Sequence, residues 1–585
     1  MEELAQAHWL NAFRALDRSL PRLRPTDVDV VQLRARLDVE AAAILHVLSA
    51  VNERRNELAL PSMLPPEVLT HIFSCLVVLD PVRLTKTYHQ SSPKTLGWLC
   101  ITHVCRRWRN ICIDQPSLVW SRLSPDGSHP WEVFLERARG CPLIISGALT
   151  IDPFATERVR SMLQRQHQVQ ELSLAYIYPR DVEHIVEGLT GPLPYLQTLQ
   201  LSSSANPVRD DPFPSLHWRL LSDAAPQLRH LGLEGVGYPW GCGSPNLTHF
   251  HYASSTDLLH MRTKSHSFAD VVSSLQSMPA LTSLKLLDAL PNYPSNFHPH
   301  EILLLHLEEL HISSRDDSCW RLWSQLNHPR LLSIQISGAH SVGTGPIITS
   351  RLREHLRASL APRYQSLDMI FRRDLTFRLF NVKPLDNPED VPHSNGYQRP
   401  FPSVTLNIQC EDVESMAKQL IAQVPLEHMC TIDVLDKVRC SQSFYEAFLP
   451  ARSVTDHYLR DKAGFGIFAL IPIPSEGGAS TDPGDFRTST ERVLFPSLRD
   501  LSCISIDFSE GSLITTYAAL REALVCRSES GKALQQLTVE ACDVSADWIE
   551  SWEKYVDELH WDGEEGREGV IESYAGSQES DDEEV

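Results

Sequence analysis

One short phrase recurs through the chain and restricts what it can fold into. Pro194-x-Leu196-x-x-Leu199-x-Leu201 returns as Pro226-x-Leu228-x-x-Leu231-x-Leu233 and Pro245-x-Leu247-x-x-Phe250-x-Tyr252. It continues as Pro279-x-Leu281-x-x-Leu284-x-Leu286 and Pro329-x-Leu331-x-x-Ile334-x-Ile336. Pro496-x-Leu498-x-x-Leu501-x-Cys503 is a further copy, and weaker ones end at Leu174, Ile312, Ile408 and Val539. Each phrase closes on apolar-x-apolar. Successive side chains of a strand point to opposite faces, so the pattern predicts a short strand with one face on a core. Helical patterns, such as Phe268–Met278 and Ile347–Leu360, fill the intervals.

Strand ends at 201, 233, 252, 286, 312 and 336 are separated by 32, 19, 34, 26 and 24 residues. With insertions, that brackets the roughly 20–29-residue period of leucine-rich repeats. The asparagine expected after such strands is missing, since Ser202, Glu234 and Leu287 stand there. Residues 124–555 are therefore expected to form an irregular leucine-rich-repeat (α/β) solenoid, the alternative being an ordinary α/β domain with leucine-rich strands. Loop insertions are expected at Lys383–Pro402, which is rich in proline, and near Pro472–Thr490, rich in Pro, Gly and Ser. The apolar run Phe465–Ile473 would fit a buried strand. A solenoid binds through its exposed strand residues, which makes Gln200, Gly232, His251, Lys285, His311 and Gln335 the candidate substrate-facing positions.

The first hundred residues read differently. Val30, Leu37, Ile44, Val51 and Leu58 recur every seventh residue over a helical stretch at 28–58, but Glu40 and Arg54 interrupt the second apolar position of a coiled coil. An amphipathic helix packed on its neighbour is the simpler expectation. Pro61 ends it. Leu64-Pro65-Pro66-Glu67-Val68-Leu69 is a helix start, because proline is tolerated in a first turn and glutamate suits the positive end of the helix dipole. Val68, Leu69, Ile72, Phe73 and Leu76 then share one stripe. After a polar spacer, Leu99, Ile101, Val104, Cys105, Trp108, Ile111 and Cys112 mark a second helix, closed by Pro116-Ser117-Leu118-Val119-Trp120.

The two halves, Leu64–Phe73 and Val104-Cys105-Arg106-Arg107-Trp108-Arg109, together with the Pro-Ser-Leu-Val-Trp close, resemble an F-box. The chain is most similar to the F-box proteins of mushroom-forming fungi, which also place a helix before the box and often resume with a segment like Trp131–Ser146. The likeness covers roughly residues 30–150 and departs in its longer spacer. It implies a helical module that docks on the Skp-type adaptor of a cullin–RING ubiquitin ligase, with Leu64, Pro65, Leu69, Ile72, Phe73, Val104 and Trp108 as adaptor-binding candidates. A module of this size cannot bury all its apolar surface, which itself implies a partner.

The expected fold class is thus α+β and multidomain: an N-terminal helical segment (1–59), an F-box (60–123), the repeat region (124–555) and an acidic disordered tail (556–585). The expected function is non-catalytic substrate recognition for an SCF-type ligase, with an unknown protein substrate; a leucine-rich-repeat scaffold acting without a ligase is the alternative.

Charge bears on partners. The chain of 585 residues carries −21, but twelve acidic residues and one basic residue from Asp557 to Val585 account for −11 of it. The acidity of the whole chain argues against nucleic acid and against an anionic membrane surface, the former less strongly because the residues before the tail carry only −10. Thirteen cysteines without a Cys-x-x-Cys pair, no long apolar run and no signal-like N-terminus point to the cytoplasm or nucleus. No phosphate-binding loop or nucleophile elbow occurs, and Gly235–Gly243 opens no helix. His249-x-His251, His298-x-His300 and the trio Cys100, His103 and Cys105 lack familiar zinc spacing. Arg106, Arg107 and Arg109 are expected on a solvated face or in a salt bridge to a partner, and no arginine cluster stands out on the strand face. No cofactor, metal or catalytic residue is expected.

Overall fold

A computed structural model describes residues 2–21, 29–82, 95–125, 130–149, 155–203, 214–254, 266–341, 343–381, 402–437, 440–471, 493–509 and 515–564. All but Pro402 of the expected insertion at 383–402, the one at 472–490, and the tail beyond 564 lie outside the described residues. The chain divides into two compact units, Met1–Arg158 and Val159–Val585.

The first unit is helical: α1 (Glu2–Ser19), α2 (Val30–Glu57), α3 (Pro66–Leu79), a 3-10 segment (Gly97–His103), α4 (Arg106–Asp114), α5 (Pro116–Val119) and α6 (Trp131–Ala138). A short parallel pair, β1 (Arg122–Leu123) and β2 (Leu143–Ala148), completes it. Pro66 opens α3, with Glu67 in its first turn. Gly97 is required where the chain re-enters: its φ is +51°, and a Cβ there would lie 2.5 Å from the Pro81 carbonyl oxygen. The Cys105 sulfur caps α4 by accepting from the Trp108 amide at 3.5 Å.

Leu69, Phe73 and Val77 face inward from α3. Beneath them Trp98, Trp120 and Phe134 form an edge-to-face trio with centroids 5.0–5.8 Å apart, a favoured aromatic geometry. The buried Trp120 indole donates to the Cys112 carbonyl at 2.8 Å, and the Arg137 guanidinium lies 4.4 Å over its ring.

The second unit is a ladder of strands: β3 (Val169–Ile177), β4 (Thr198–Ser203), β5 (His230–Glu234), β6 (His249–Ala253) and β7 (Ser283–Leu287). A small parallel pair, β8 (Ile302–Leu303) with β10 (Leu326–Asn327), stands apart. The ladder continues with β9 (Glu309–Ser313), β11 (Ser333–Ala339), β12 (Ser366–Phe371), β13 (Leu375–Phe380) and β14 (Ser403–Gln409). It ends with β15 (Thr431–Asp436), β16 (Asp456–Asp461), β17 (Asp500–Ile504), β18 (Leu534–Glu540) and β19 (Val556–Trp561).

Neighbours pair in parallel from β3 to β9, then β9 with β11 and β11 with β14. Parallel pairing resumes from β12 through β15 to β19. β13 joins the two runs antiparallel to both β12 and β14. The reversal is local because β12 and β13 form a tight hairpin, after which the chain returns to place β14 beside β11.

The proline phrase explains the packing. Its strand residues Leu199, Leu201, Leu231, Leu233, Phe250, Leu284, Leu286, Ile334 and Ile336 are all buried, and so are the leading leucines Leu196, Leu228, Leu247, Leu281 and Leu331. Just before each strand, an amide bonds back to the preceding unit: Gln197 to the Gln170 carbonyl, Thr248 to Arg229, Thr282 to Thr248 and Leu332 to Glu308. Helices Phe268–Gln276 and Thr344–Arg357 fall where the sequence patterns predict them.

Two expectations do not hold. Phe465–Ile473 contains the helix Phe465–Ala469 instead of a strand, because the buried Ile467 and Leu470 lie three apart on one side. Residues 556–561, expected to begin the acidic tail, form β19, whose backbone pairs with the open edge of β18.

Candidate functional site

Two surfaces, one in each unit, hold the residues singled out by the sequence. In the first, the seven adaptor candidates divide. Leu69 and Phe73 are each only 1% exposed, and the half-buried Trp108 ring packs 5.2 Å from that of Phe73. Leu69 and Phe73 hold the helices together and offer no surface, a correction to the sequence expectation: they lie one position round α3 from Val68 and Ile72, on its inner side. Leu64 is half-buried; Pro65, Ile72 and Val104 are exposed, as are Val68 and Leu79. Val68, Ile72 and Leu79 follow helical spacing on the outer side of α3. Val68 and Leu79 belong to the same stripe but were not among the candidates.

The arginines serve the module itself. Arg107 donates to the Leu64 carbonyl at 2.6 Å, Arg109 to that of Thr102 at 2.8 Å, and Arg106 reaches Glu53 on α2 at 3.4 Å. Arg107 thereby ties α4 to the Leu-Pro-Pro entry of α3 and sets the orientation of the outer stripe. A helix entered by Leu-Pro-Pro, a capped second helix bearing Cys-Arg-Arg-Trp, and a buried Trp120 close are now in one module.

Residues 62–126 match the F-box-like family. The chain therefore contains an F-box-like domain, and the outer stripe of α3 is one exposed apolar surface of that domain. No curated protein matches the chain.

In the second unit the six strand candidates lie in one continuous row. Paired registers run Ser173, Gln200, Gly232, His251, Lys285, His311, Gln335 and Thr405 across eight adjacent strands. All six candidates are exposed or half-buried, on the side opposite the buried leucines. Beside this row, the His230 and His249 rings lie tilted against each other with centroids 4.5 Å apart. Lys285 pairs with Glu309 at 2.9 Å, and Ser283 donates to the same carboxylate at 2.6 Å.

Burial pushes His230 down to about 4, helped by the neighbouring His249 and Arg229. Burial, then Lys285, does the same for His311, to about 4. His249 and His251 are lowered chiefly by burial. At neutral pH the row is accordingly a hydrogen-bonding surface with a single paired lysine. The His251 Nε2 has no hydrogen-bond partner among the described residues.

The same row continues into a cluster that sequence reading missed. Thr405 is followed by Arg378, Asp368, Asp433 and Tyr458 in register. Arg378 reaches Asp368 at 3.2 Å, and Arg460 reaches Asp433 at 2.9 Å. Burial raises Asp433 to about 6 despite Arg460, and the adjacent Asp368 adds to the rise. Arginines thus do occupy the strand face, each neutralised by an aspartate. Their strands lack the leucine-led proline phrase, β12 following only the variant Pro362-x-Tyr364-x-x-Leu367-x-Met369. The apolar alternation in Leu367–Phe371, Leu375–Phe380, Ile432–Val434 and His457–Leu459 is the signal that could have revealed them.

Among the described residues, no group of three or more His, Cys, Asp or Glu is arranged to hold a metal ion. No described helix is long and apolar enough to cross a membrane.

Proposed function

We propose that this chain is a non-catalytic substrate receptor of an SCF-type cullin–RING ubiquitin ligase. The observation that carries the reading is an F-box-like domain whose α3 keeps an apolar stripe, Val68, Ile72 and Leu79, turned outward. Apolar side chains aligned on an exposed helix face are the signature of a helix-docking interface. The Skp-type adaptor would bind there, with Leu64, Pro65, Val104 and the Trp108 edge at its margin. The sequence resemblance to F-box proteins of mushroom-forming fungi supports the same assignment.

The ladder is, in this reading, an irregular leucine-rich-repeat solenoid, and its open row from Gln200 to Gln335 receives the protein substrate. The receptor then acts by effective concentration, holding the substrate near a ubiquitin-charged enzyme in the cytoplasm or nucleus. Reconstitution tests it: purified chain, adaptor, cullin and RING subunit should co-elute as one complex. A wild-type chain that fails to bind any Skp-type adaptor would sink the proposal. Adaptor binding without cullin recruitment would favour the scaffold alternative.

A further inference from the structure

Helix α2 presents the wrong side to its own module. No residue of its 28 is buried. Towards its end the half-buried residues are polar, Ser49, Asn52 and Asn56, and Glu53 meets Arg106 of α4; near its start Val30, Leu33 and Glu40 are half-buried. The seven-residue repeat lies elsewhere on the helix, with Leu37, Ile44, Val47, Val51 and Leu58 all exposed, 40% to 76%. An isolated helix in water gains nothing from such a stripe, whereas a seven-residue apolar period is what a second, coiling helix requires.

We propose that α2 is the dimerisation element of this protein and pairs with α2 of a second copy in antiparallel orientation. The charges choose the direction. A parallel, in-register pair would stack Glu40 on Glu40 and Arg54 on Arg54 within the seam, and like charges there oppose pairing. Reversing one helix gives layers in which the two positions add to 91. Ile44 then faces Val47 of the second copy, Leu33 faces Leu58, Leu37 meets the aliphatic stem of Arg54, and Val51 meets Glu40. Glu40 and Arg54 of opposite chains fall in neighbouring layers, within reach of each other, and Arg36 flanks Glu57. The two residues that spoil a parallel seam become a complementary pair, made twice by the two-fold symmetry.

The pair Arg54–Glu57 now seen within α2 is exposed at both ends and costs little to exchange. Because the polar side of α2 keeps its contacts with the F-box-like domain, dimerisation leaves the outer face of α3 open.

Sedimentation equilibrium of the full chain, from micromolar loading upward, tests the proposal. A dimer is expected, and Ile44→Asp with Val47→Asp should make it monomeric with the melting temperature of the monomer unit retained. Glu40→Arg alone should weaken the dimer by roughly tenfold or more, and adding Arg54→Glu should restore it to within roughly threefold. A monomeric wild type, or a dimer indifferent to the Ile44 and Val47 changes, overturns the proposal. A dimer unaffected by both charge variants overturns the antiparallel assignment, since a parallel seam exchanges one like-charged pair for another.

Discussion

Ile72 and Phe73 are neighbours in sequence with opposite expected roles, and a paired substitution separates them. Phe73 is 1% exposed and packs on Trp108. Truncating a buried phenylalanine to alanine removes its transfer free energy and leaves a cavity, about 3–5 kcal/mol together. For a unit of 158 residues, about 2–4 °C is lost per kcal/mol, so Phe73→Ala should lower its melting temperature by roughly 6–20 °C. Ile72 is 41% exposed. Full burial of an isoleucine is worth about 1.5–3 kcal/mol, so covering the remaining area stabilises a complex by about 1 kcal/mol. Ile72→Ala should then weaken adaptor binding roughly fivefold with little change in melting. Ile72→Asp places an unpaired carboxylate in an apolar contact at about 3 kcal/mol or more, a loss of roughly two orders of magnitude. Differential scanning calorimetry and titration with the purified adaptor read the two effects separately. If Ile72→Asp binds normally while melting falls, α3's outer stripe is internal packing and the docking argument is wrong.

Three further outcomes follow from burial and geometry. The Arg527 guanidinium, 1% exposed, donates to the carbonyls of Leu494, Phe495 and Leu498; Arg527→Leu should destabilise the second unit by about 3 kcal/mol in urea unfolding, and an unchanged midpoint would refute that role. His457 is 1% exposed and its pKa is pushed down to about 4 by burial. The unfolded chain therefore takes up the proton first, and stability present at pH 7 should fall by about 3 kcal/mol as pH drops from 6.5 to 4; His457→Leu should flatten that slope in pH-dependent melts. Gly97→Ala should cost about 2 kcal/mol or more, since φ is +51° and the added Cβ meets a backbone oxygen; calorimetry of the variant checks it.

The candidate sites were legible to different depths. The row of exposed strand positions followed directly from Pro-x-Leu-x-x-Leu-x-Leu, because alternation assigns a face once the strand is fixed. The Arg378–Asp368 and Arg460–Asp433 pairs were not legible. Arg378–Asp368 lies across the β12–β13 hairpin and Arg460–Asp433 across the parallel β15–β16 pair, and no recurring motif marks which residues of these strands meet in register. On α3, helical spacing placed Val68 to Phe73 on one broad stripe. It could not divide that stripe into Leu69 and Phe73, which are covered, and Val68 and Ile72, which are not, since the division depends on where Trp98 and Trp108 pack.

What the sequence determined by itself was local: period, strand face, helix entry at the proline pair, and the F-box-like likeness now matched at 62–126. Short-range sterics and apolar periodicity fix these, so they can be read without knowing what lies opposite. Tertiary structure alone decided which apolar residues remain exposed, which charges meet, and that Val556–Trp561 closes the ladder as a strand. Those outcomes depend on burial and on pairing between segments far apart in the chain, and no single segment carries them.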